Sequence, residues 1–323
     1  MAGVIVDGYV TVSTDAGLLV DSGPADWGLA SPGNLNLVDL DNFGQRSLGD
    51  LTVITKQVMK DYYRKPAEYS YWNACSNGGR QSTIAECDDL DVVKDGLIAD
   101  PETCRKTFDP WQHVGRLFNC SDANQEMGIS SAAASVAEAS WNGPTYSNGD
   151  FMRYRYDIGV VRDLTSNVTA LTHAQYDQLY LTLKKTFAGS VQAAEPRITR
   201  FQEAGGKLIT YHGLADPGIT PDSTLHYYKE VSKLLPGTAD FYRYYRVPGL
   251  GHFWGGNGGQ PINLFDQLRQ WVENGTAPEA SPVTVTLPSN ATMEQVLCPW
   301  PRRAVLKKSC SNGTSTIDYL KCK

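Results

Sequence analysis

A serine flanked by small residues is the first candidate for chemistry in this chain. Ser76 follows an apolar run that begins at Tyr69, and Ala74 and Gly78 stand two positions before and after the serine. Backbone crowds a serine on a sharp strand-to-helix turn from both sides, so such a turn requires small residues at these two positions. The pattern predicts a nucleophile whose hydroxyl is exposed. The alternative is a glycine turn that happens to contain serine, and the partners of the serine decide between the two.

An aspartate on a later loop can supply the acid that such a serine needs. Residues 207–213 read as a strand, and Pro217 and Gly218 end it so that Asp216 lies on the loop. His212 stands at the end of the same strand, four residues before Asp216. It is a competing base, although a histidine at a strand end more often makes structural hydrogen bonds.

A histidine after the next strand completes the set. Residues 241–247 are rich in strand formers and end in a Pro-Gly pair shortly before His252. The candidates thus follow the chain order of an α/β-hydrolase, which is serine, acid, histidine. In two-step acyl transfer His252 takes the proton of Ser76 during its attack on an ester carbonyl, while Asp216 orients the imidazole. The backbone amide of Asn77 is the first candidate to hold the oxyanion.

The elements that carry these residues alternate between strand and helix. Strands are predicted at residues 9–14 and 69–74, with an amphipathic helix at 51–63 between them. Helices at 221–235 and 264–274 follow the two later strands. This alternation is typical of a doubly wound α/β sheet.

The composition changes in the middle of the chain. From residue 87 to 183 the sequence contains Asp clusters, an Ala/Ser-rich stretch and loops rich in Gly, Asn and Tyr. We therefore expect an α/β-hydrolase core at residues 1–86 and 184–323, with a lid insertion at residues 87–183. No internal repeat is evident.

Composition and charge exclude several classes of partner. The chain has 323 residues, of which 41% are hydrophobic and 20% charged, enough for one large globular core. Its net charge is -6, with no run of Lys and Arg, which argues against nucleic acid and anionic membrane surfaces. No apolar stretch reaches the ~18 residues of a membrane span. We expect a small-molecule partner, neither nucleic acid nor a membrane.

Cysteines and glycosylation acceptors favour an oxidising compartment. The chain has seven cysteines and five Asn-x-Ser/Thr motifs. Secretion is the prediction, although such motifs also arise by chance. No signal peptide is visible after Met1, so we expect a removed leader or a longer gene product. The acceptors are Asn119, Asn167, Asn274, Asn290 and Asn312.

A cluster of acids follows the serine segment. Asp88, Asp91 and Asp95 are spaced as in a loop that wraps oxygens around a hard cation, but the spacing is not that of an EF-hand. Calcium needs about six or more oxygens, so backbone carbonyls such as those of Val93 and Leu97 must supplement the carboxylates. The alternative is a solvated acidic turn, since charge runs usually face water.

Several blocks, in order, resemble the tannase and feruloyl esterase family of α/β-hydrolases. The family's Cys-Ser-x-Gly-Gly-Arg is present at residues 75–80, and its lid calcium loop, Cys-Asp-x-x-Asp-x-x-x-Asp-Gly, at residues 87–96. Residues 212–216 and 249–252 are similar to its acid and base blocks. The resemblance implies an ester hydrolase for galloyl, feruloyl or related phenolic esters, with a calcium-binding lid. The implied calcium ligands are the side chains of Asp88, Asp91 and Asp95 and the carbonyls of Val93 and Leu97.

The same resemblance implies two disulfides, one that closes the calcium loop and one that ties down the C-terminal segment. Three cysteines are left over, so an odd thiol remains. The expected pairs are Cys87 with Cys104 and Cys298 with Cys322, and the remaining cysteines are Cys75, Cys120 and Cys310.

The chain departs from the family in three places. Phe253 stands where the family has a cysteine that bonds to the one before the serine, here Cys75. The glycine-rich segment that supplies a second oxyanion donor is missing, unless Gly3 or a neighbour substitutes, and so is a core strand between the serine helix and the calcium loop. The chain therefore looks shortened. Two alternatives remain. One is a catalytically impaired or inactive, calcium-stabilised homologue, and the other is an acyltransferase that transfers the acyl group to an alcohol in place of water.

Overall fold

A computed structural model of the chain provides the fold. Two compact units are distinguished, one comprising residues 1–73, 146–150 and 157–195, the other residues 74–145, 151–156 and 196–323. The structure describes residues 10–15, 18, 27–31, 34–42, 46–71, 100–120, 125–152, 171–187, 195–216, 219–252, 254–256, 258–286, 292–306 and 320–323.

The described elements alternate between helix and strand most regularly in the second half of the chain. The α-helices are α1 (Leu37–Asp41), α2 (Ser47–Tyr63), α3 (Pro101–Thr107), α4 (Ser131–Asn142), α5 (His173–Phe187), α6 (Thr199–Glu203), α7 (Pro221–Leu234) and α8 (Leu264–Asn274). The strands are β1 (Leu29–Ser31), β2 (Asn34–Leu35), β3 (Leu117–Cys120), β4 (Gln125–Gly128), β5 (Leu208–Gly213), β6 (Tyr242–Val247), β7 (Ser281–Thr286), β8 (Thr292–Leu297), β9 (Ala304–Leu306) and β10 (Leu320–Cys322).

Strand β6 lies at the centre of the core of the second unit. It pairs in parallel with β5, and both of its faces are buried. Tyr242 and Tyr244 pack with residues of α7, whereas Tyr245 and Val247 belong to a second cluster that includes Leu264 of α8. Because successive side chains of a strand point to opposite faces, the two helices cover opposite faces of the pair. This is the α/β layering that the sequence predicts.

Local signals in the sequence define the helices that flank this pair. The Thr220 side chain accepts a hydrogen bond from the Asp222 amide, and Pro221 occupies the first turn of α7, where its missing N–H costs nothing. Helix α8 ends at Gly275, whose φ of 69° is left-handed. The predicted helices at 221–235 and 264–274 and the predicted strands at 207–213 and 241–247 are therefore confirmed, within two residues.

The C-terminal segment is fastened to the core by hydrogen bonds and a disulfide. The amide of Trp300 donates to the carbonyl of Tyr244 in β6 at 2.8 Å. A disulfide joins Cys298 to Cys322, the pair that the family resemblance implies. Cys104 is buried and also disulfide-bonded. Its expected partner, Cys87, lies outside the described residues.

The first unit contains helix α2, which the periodicity predicts at 51–63 and which begins slightly earlier, at Ser47. The predicted strand at 9–14 is wrong for residues 10–14, which are in no strand and mostly exposed. Of the predicted strand at 69–74, residues 69–71 are not in a strand, and the rest lie outside the described part of the chain. Among the described helices none has the length and apolarity needed to cross a bilayer.

Candidate active site

Of the predicted site residues, the structure describes the acid, the competing base and the candidate base. Asp216, His212 and His252 lie together at one edge of the β5–β6 pair. The candidate nucleophile, the oxyanion amide and the calcium ligands lie outside the described residues: Ser76, Asn77, Asp88, Asp91, Val93, Asp95 and Leu97.

Parallel pairing brings the acid loop and the base loop together. Gly213, the last residue of β5, stands opposite Val247, the last residue of β6. Carboxyl ends of parallel strands share one edge of a sheet, so the loops that follow them start side by side. Beyond the strands the two loops remain bonded to each other, because the Leu214 amide donates to Val247 O at 2.9 Å and the Ala215 amide donates to Leu250 O at 3.0 Å.

One glycine allows the close approach of the two loops, and a second allows the tight turn of the histidine loop. A Cβ on Gly213 would lie 1.8 Å from the carbonyl oxygen of Gly251, immediately before His252. Gly256 has a left-handed φ of 77°, and a Cβ there would lie 2.2 Å from the carbonyl oxygen of Gly249. Atoms at such distances overlap, so a larger residue at 213 would push the histidine loop away from the acid loop, and one at 256 would disturb the fold of the histidine loop itself.

The candidate base is hydrogen-bonded to the candidate acid. His252 Nδ1 contacts Asp216 Oδ2, and the carboxylate is 0% exposed while the imidazole is 7% exposed. Because an ionised carboxylate can only accept, Nδ1 is the donor and Nε2 is the ring atom that can take a proton from a nucleophile. Burial lowers the pKa of His252 below its ordinary value of 6.5, an effect that Asp216 opposes and His212 reinforces.

The competing base contacts the same carboxylate from the other side. His212 Nε2 lies 2.9 Å from Asp216 Oδ2 and 3.0 Å from the carbonyl oxygen of Ile219. Its Nδ1 lies 2.7 Å from Thr224 Oγ1, on the first turns of α7. Both ring nitrogens thus have partners, which favours the structural interpretation of His212. The sequence carries no signal for Thr224 beyond its place near the start of the helix after the acid loop.

A metal-binding site is a second interpretation of these three side chains. His212, Asp216 and His252 offer ligand atoms within 4.8 Å of one another, and two imidazoles with a carboxylate suit transition metals. The carbonyl oxygen of Ile219 only accepts, however, so His212 Nε2 carries a proton and its lone pair is not available to a metal. We therefore interpret the three side chains as a hydrogen-bonded chain.

Parallel strands with helices on both faces, and an acid and a histidine on adjoining loops at their carboxyl ends, define an α/β-hydrolase-like protein. The family model described as "Tannase and feruloyl esterase" matches residues 2–85 and 153–319, more than half of the chain. The chain therefore belongs to the tannase and feruloyl esterase family, a family of carboxylic ester hydrolases. The family predicted from the sequence motifs is confirmed.

Named relatives agree with this assignment. The chain is 28% identical to a probable feruloyl esterase of Arthroderma benhamiae, with 99% of this chain and 76% of that protein covered. It is 23% identical to a tannase of Aspergillus oryzae, with 98% and 78% covered.

Solved structures show the same fold. The tannin acyl hydrolase from Aspergillus niger superposes with a TM-score of 0.76 at 23% identity, over 92% of this chain and 72% of that one. Feruloyl esterase B from Aspergillus oryzae gives a TM-score of 0.73 at 18% identity, over 89% and 76%. The α/β-hydrolase-like fold class predicted from the sequence is thereby confirmed.

Proposed function

We propose that the chain is a serine carboxylic ester hydrolase that acts on galloyl, feruloyl or related phenolic esters through Ser76, Asp216 and His252. The observation that carries the proposal is the hydrogen bond between the buried Asp216 and His252 Nδ1, at the edge where an α/β-hydrolase assembles its site. The names of the relatives, tannase and feruloyl esterase, support the substrate class.

The chemistry is acyl transfer in two steps. His252 Nε2 takes the proton of the Ser76 hydroxyl as its oxygen attacks the ester carbonyl, and the same proton then goes to the departing alcohol. Asp216 holds Nδ1 and stabilises the imidazolium that forms between these events. The Asn77 amide holds the oxyanion, which contributes roughly 3 kcal/mol per donor. Water, activated by His252, releases the aromatic acid in the second step.

Burial of the base suits it to this role. Because the pKa of His252 lies below the ordinary value, the imidazole is neutral and able to accept a proton near neutral pH. Asp216 then favours the charged form once the proton has been transferred.

Hydrolysis of 4-nitrophenyl esters by the wild type and by Ser76→Ala tests the proposal. Loss of the nucleophile is expected to reduce kcat/KM by about 10⁴-fold or more. Ser135→Ala, on an exposed position of α4, is the matched control and retains the wild-type rate. Equal rates for wild type and Ser76→Ala end the serine esterase proposal. Methyl esters of hydroxybenzoic and hydroxycinnamic acids, compared with aliphatic esters, then test the substrate class.

We also propose that the lid at residues 87–183 binds Ca²⁺ through Asp88, Asp91 and Asp95 and the carbonyls of Val93 and Leu97. Three carboxylates and two carbonyls form an all-oxygen donor set, which suits Ca²⁺ once water completes the shell. The role is structural, since the ion ties the loop together. Chelation is expected to lower the Tm, and Asp91→Asn to weaken the response to added Ca²⁺; an unchanged Tm in both experiments contradicts the site.

A secreted location is proposed on the cysteine chemistry. The disulfide between Cys298 and Cys322 and the buried, disulfide-bonded Cys104 are typical of oxidising compartments. The proposed partner is a small aromatic ester. Mass spectrometry of the protein from its native host, with and without reduction and deglycosylation, tests both the disulfides and the five acceptor motifs.

A further inference from the structure

The Asp216 carboxylate is saturated with donors in a way that the esterase mechanism does not require. Its Oδ2 faces both His252 Nδ1 and His212 Nε2, and its Oδ1 accepts the Ile219 amide at 2.9 Å. The side chain is 0% exposed. An oriented carboxylate needs only its contact with the base, so the second imidazole calls for its own explanation.

The hydrogen bonds of His212 make its Nε2 a donor. Ile219 offers a carbonyl oxygen, which only accepts, so Nε2 of His212 carries hydrogen and donates to both Ile219 O and Asp216 Oδ2. Nδ1 lies 2.7 Å from Thr224 Oγ1, and since a hydroxyl both donates and accepts, this bond holds the ring in place without defining its charge. Each group in the chain from Thr224 to His252 is thereby joined to the next by a hydrogen bond.

We infer that His212 is a positioning residue for the proposed esterase reaction: its Nε2–H, fixed by Thr224 on α7, holds the Asp216 carboxylate in the orientation that presents Oδ2 to His252. The inference rests on the proposed function. It assigns to the residues around the acid a task beyond packing, because α7 is thereby linked to the base through three consecutive hydrogen bonds.

Two physical effects follow from this arrangement. First, the carboxylate is held against rotation, and a misplacement of about 1 Å in an active site can cost about 100-fold in rate. Second, the N–H that His212 donates moderates the negative charge that Asp216 presents to the His252 imidazolium. Among the described residues, the titratable groups that act on His252 are Asp216, on the same loop as Ile219, and His212, at the end of β5.

Substitutions at residue 212 separate positioning from packing. His212→Leu removes the donor, and we expect kcat to fall about 10- to 100-fold with KM nearly unchanged. The acid limb of the kcat/KM profile is expected to move to higher pH, because the Asp216 carboxylate, without the N–H of His212, interacts more strongly with the imidazolium of His252. His212→Gln places an amide N–H near the position of Nε2, so it should restore most of the rate and return the limb toward that of the wild type.

Thr224→Val tests the far end of the chain. It keeps the shape of the side chain but loses the hydroxyl that holds the imidazole of His212 in place, so we expect about a 3- to 10-fold loss in kcat. His226→Gln is the matched control, since His226 is on the same helix and exposed. It should show the wild-type rate and pH profile.

The outcomes distinguish this inference from the proposed function. If the wild type is active and Ser76→Ala is not, while His212→Leu and Thr224→Val keep the wild-type kcat and acid limb, positioning by His212 is overturned and the esterase stands. If the wild type hydrolyses no ester, the proposed function fails, and the inference fails with it. Should His212→Leu not fold, His212→Gln and Thr224→Val decide: a wild-type profile for Thr224→Val overturns the inference, and a reduced kcat with a displaced limb supports it.

Discussion

Two buried aspartates of the second unit are held by opposite means. Asp216 lies between two imidazoles and a backbone amide, none of which carries a permanent charge. Asp100, which is 5% exposed, caps α3 by accepting from the Thr103 amide at 3.1 Å and the Thr103 hydroxyl at 2.6 Å. Its Oδ2 also pairs with the guanidinium of Arg303 in the C-terminal segment.

The difference separates a carboxylate that supports the fold from one that we propose to support a reaction. Burial raises the pKa of Asp100, but the hydrogen bonds from Thr103 and the charge of Arg303 outweigh it, so the pKa lies below the ordinary value. A permanently charged partner keeps Asp100 ionised and immobile. Asp216 faces groups that can gain or lose a proton, so its negative charge can stabilise an imidazolium at the moment it forms.

The largest effect is expected from Asp216→Asn. The amide loses the charge that stabilises protonated His252 and favours the wrong tautomer, so kcat/KM should fall about 10³- to 10⁴-fold. Asp100→Asn is the matched control in a buried site without catalytic contacts, and should stay within about twofold of the wild-type kcat/KM. An Asp216→Asn enzyme that retains a tenth of the activity contradicts the comparison.

The pH dependence of the rate is expected to be the next largest effect. Because the pKa of His252 is lowered, the acid limb of kcat/KM should fall below pH 6.5, with about a tenfold loss for each further unit of pH. Circular dichroism at each pH shows that the protein stays folded across the limb. A limb centred above pH 6.5 contradicts the assignment of the base.

Asp100→Ala should cost stability and leave the chemistry intact. Loss of a side-chain cap at the start of a helix is expected to lower the free energy of unfolding by about 1–2 kcal/mol, measured from the denaturant midpoint. Since the pKa of Asp100 is lowered in the folded state, this contribution is present above the ordinary pKa and disappears as the pH falls through the folded value. The difference in free energy of unfolding between wild type and variant should therefore become smaller as the pH falls. A difference that grows there contradicts the ion pair.

Arg303→Gln is expected to have the smallest effect. The Arg303 side chain is 55% exposed, and the buried Asp100 keeps its hydrogen bonds from Thr103, so we expect a loss of about 1 kcal/mol or less in the free energy of unfolding. The loss of stability should be smaller in about 1 M salt, where the Debye screening length is about 3 Å. Lys321→Gln, at an exposed position of β10, is the control for the removal of one charge from this segment.

The region around the candidate acid and base was largely predictable from the sequence, because the signals that start and end its strands and helices are local. Strand β5, strand β6 and helices α7 and α8 each begin or end at a Pro, a Gly or a capping residue, which the chain shows without any tertiary contact. Asp216 and His252 were found because a loop follows each strand.

Other features depend on tertiary structure. The role of Thr224 requires that α7 folds back toward the end of β5, and no periodicity encodes that contact. The predicted strand at residues 9–14 fails for 10–14 because alternation indicates only a tendency, and a strand needs a partner to pair with. Predictions for Ser76, Asn77 and the calcium loop rest on motifs, and they stay predictions.

The backbone hydrogen bonds that join the histidine loop to the acid loop have a practical consequence for engineering. Leu214 and Ala215 hold that loop through main-chain amides, so their side chains are not part of the attachment. A saturation library at these two positions should therefore be rich in active variants, apart from proline, which lacks the amide N–H. A library at Gly213, where a Cβ would overlap the opposite loop, should contain almost no active variants.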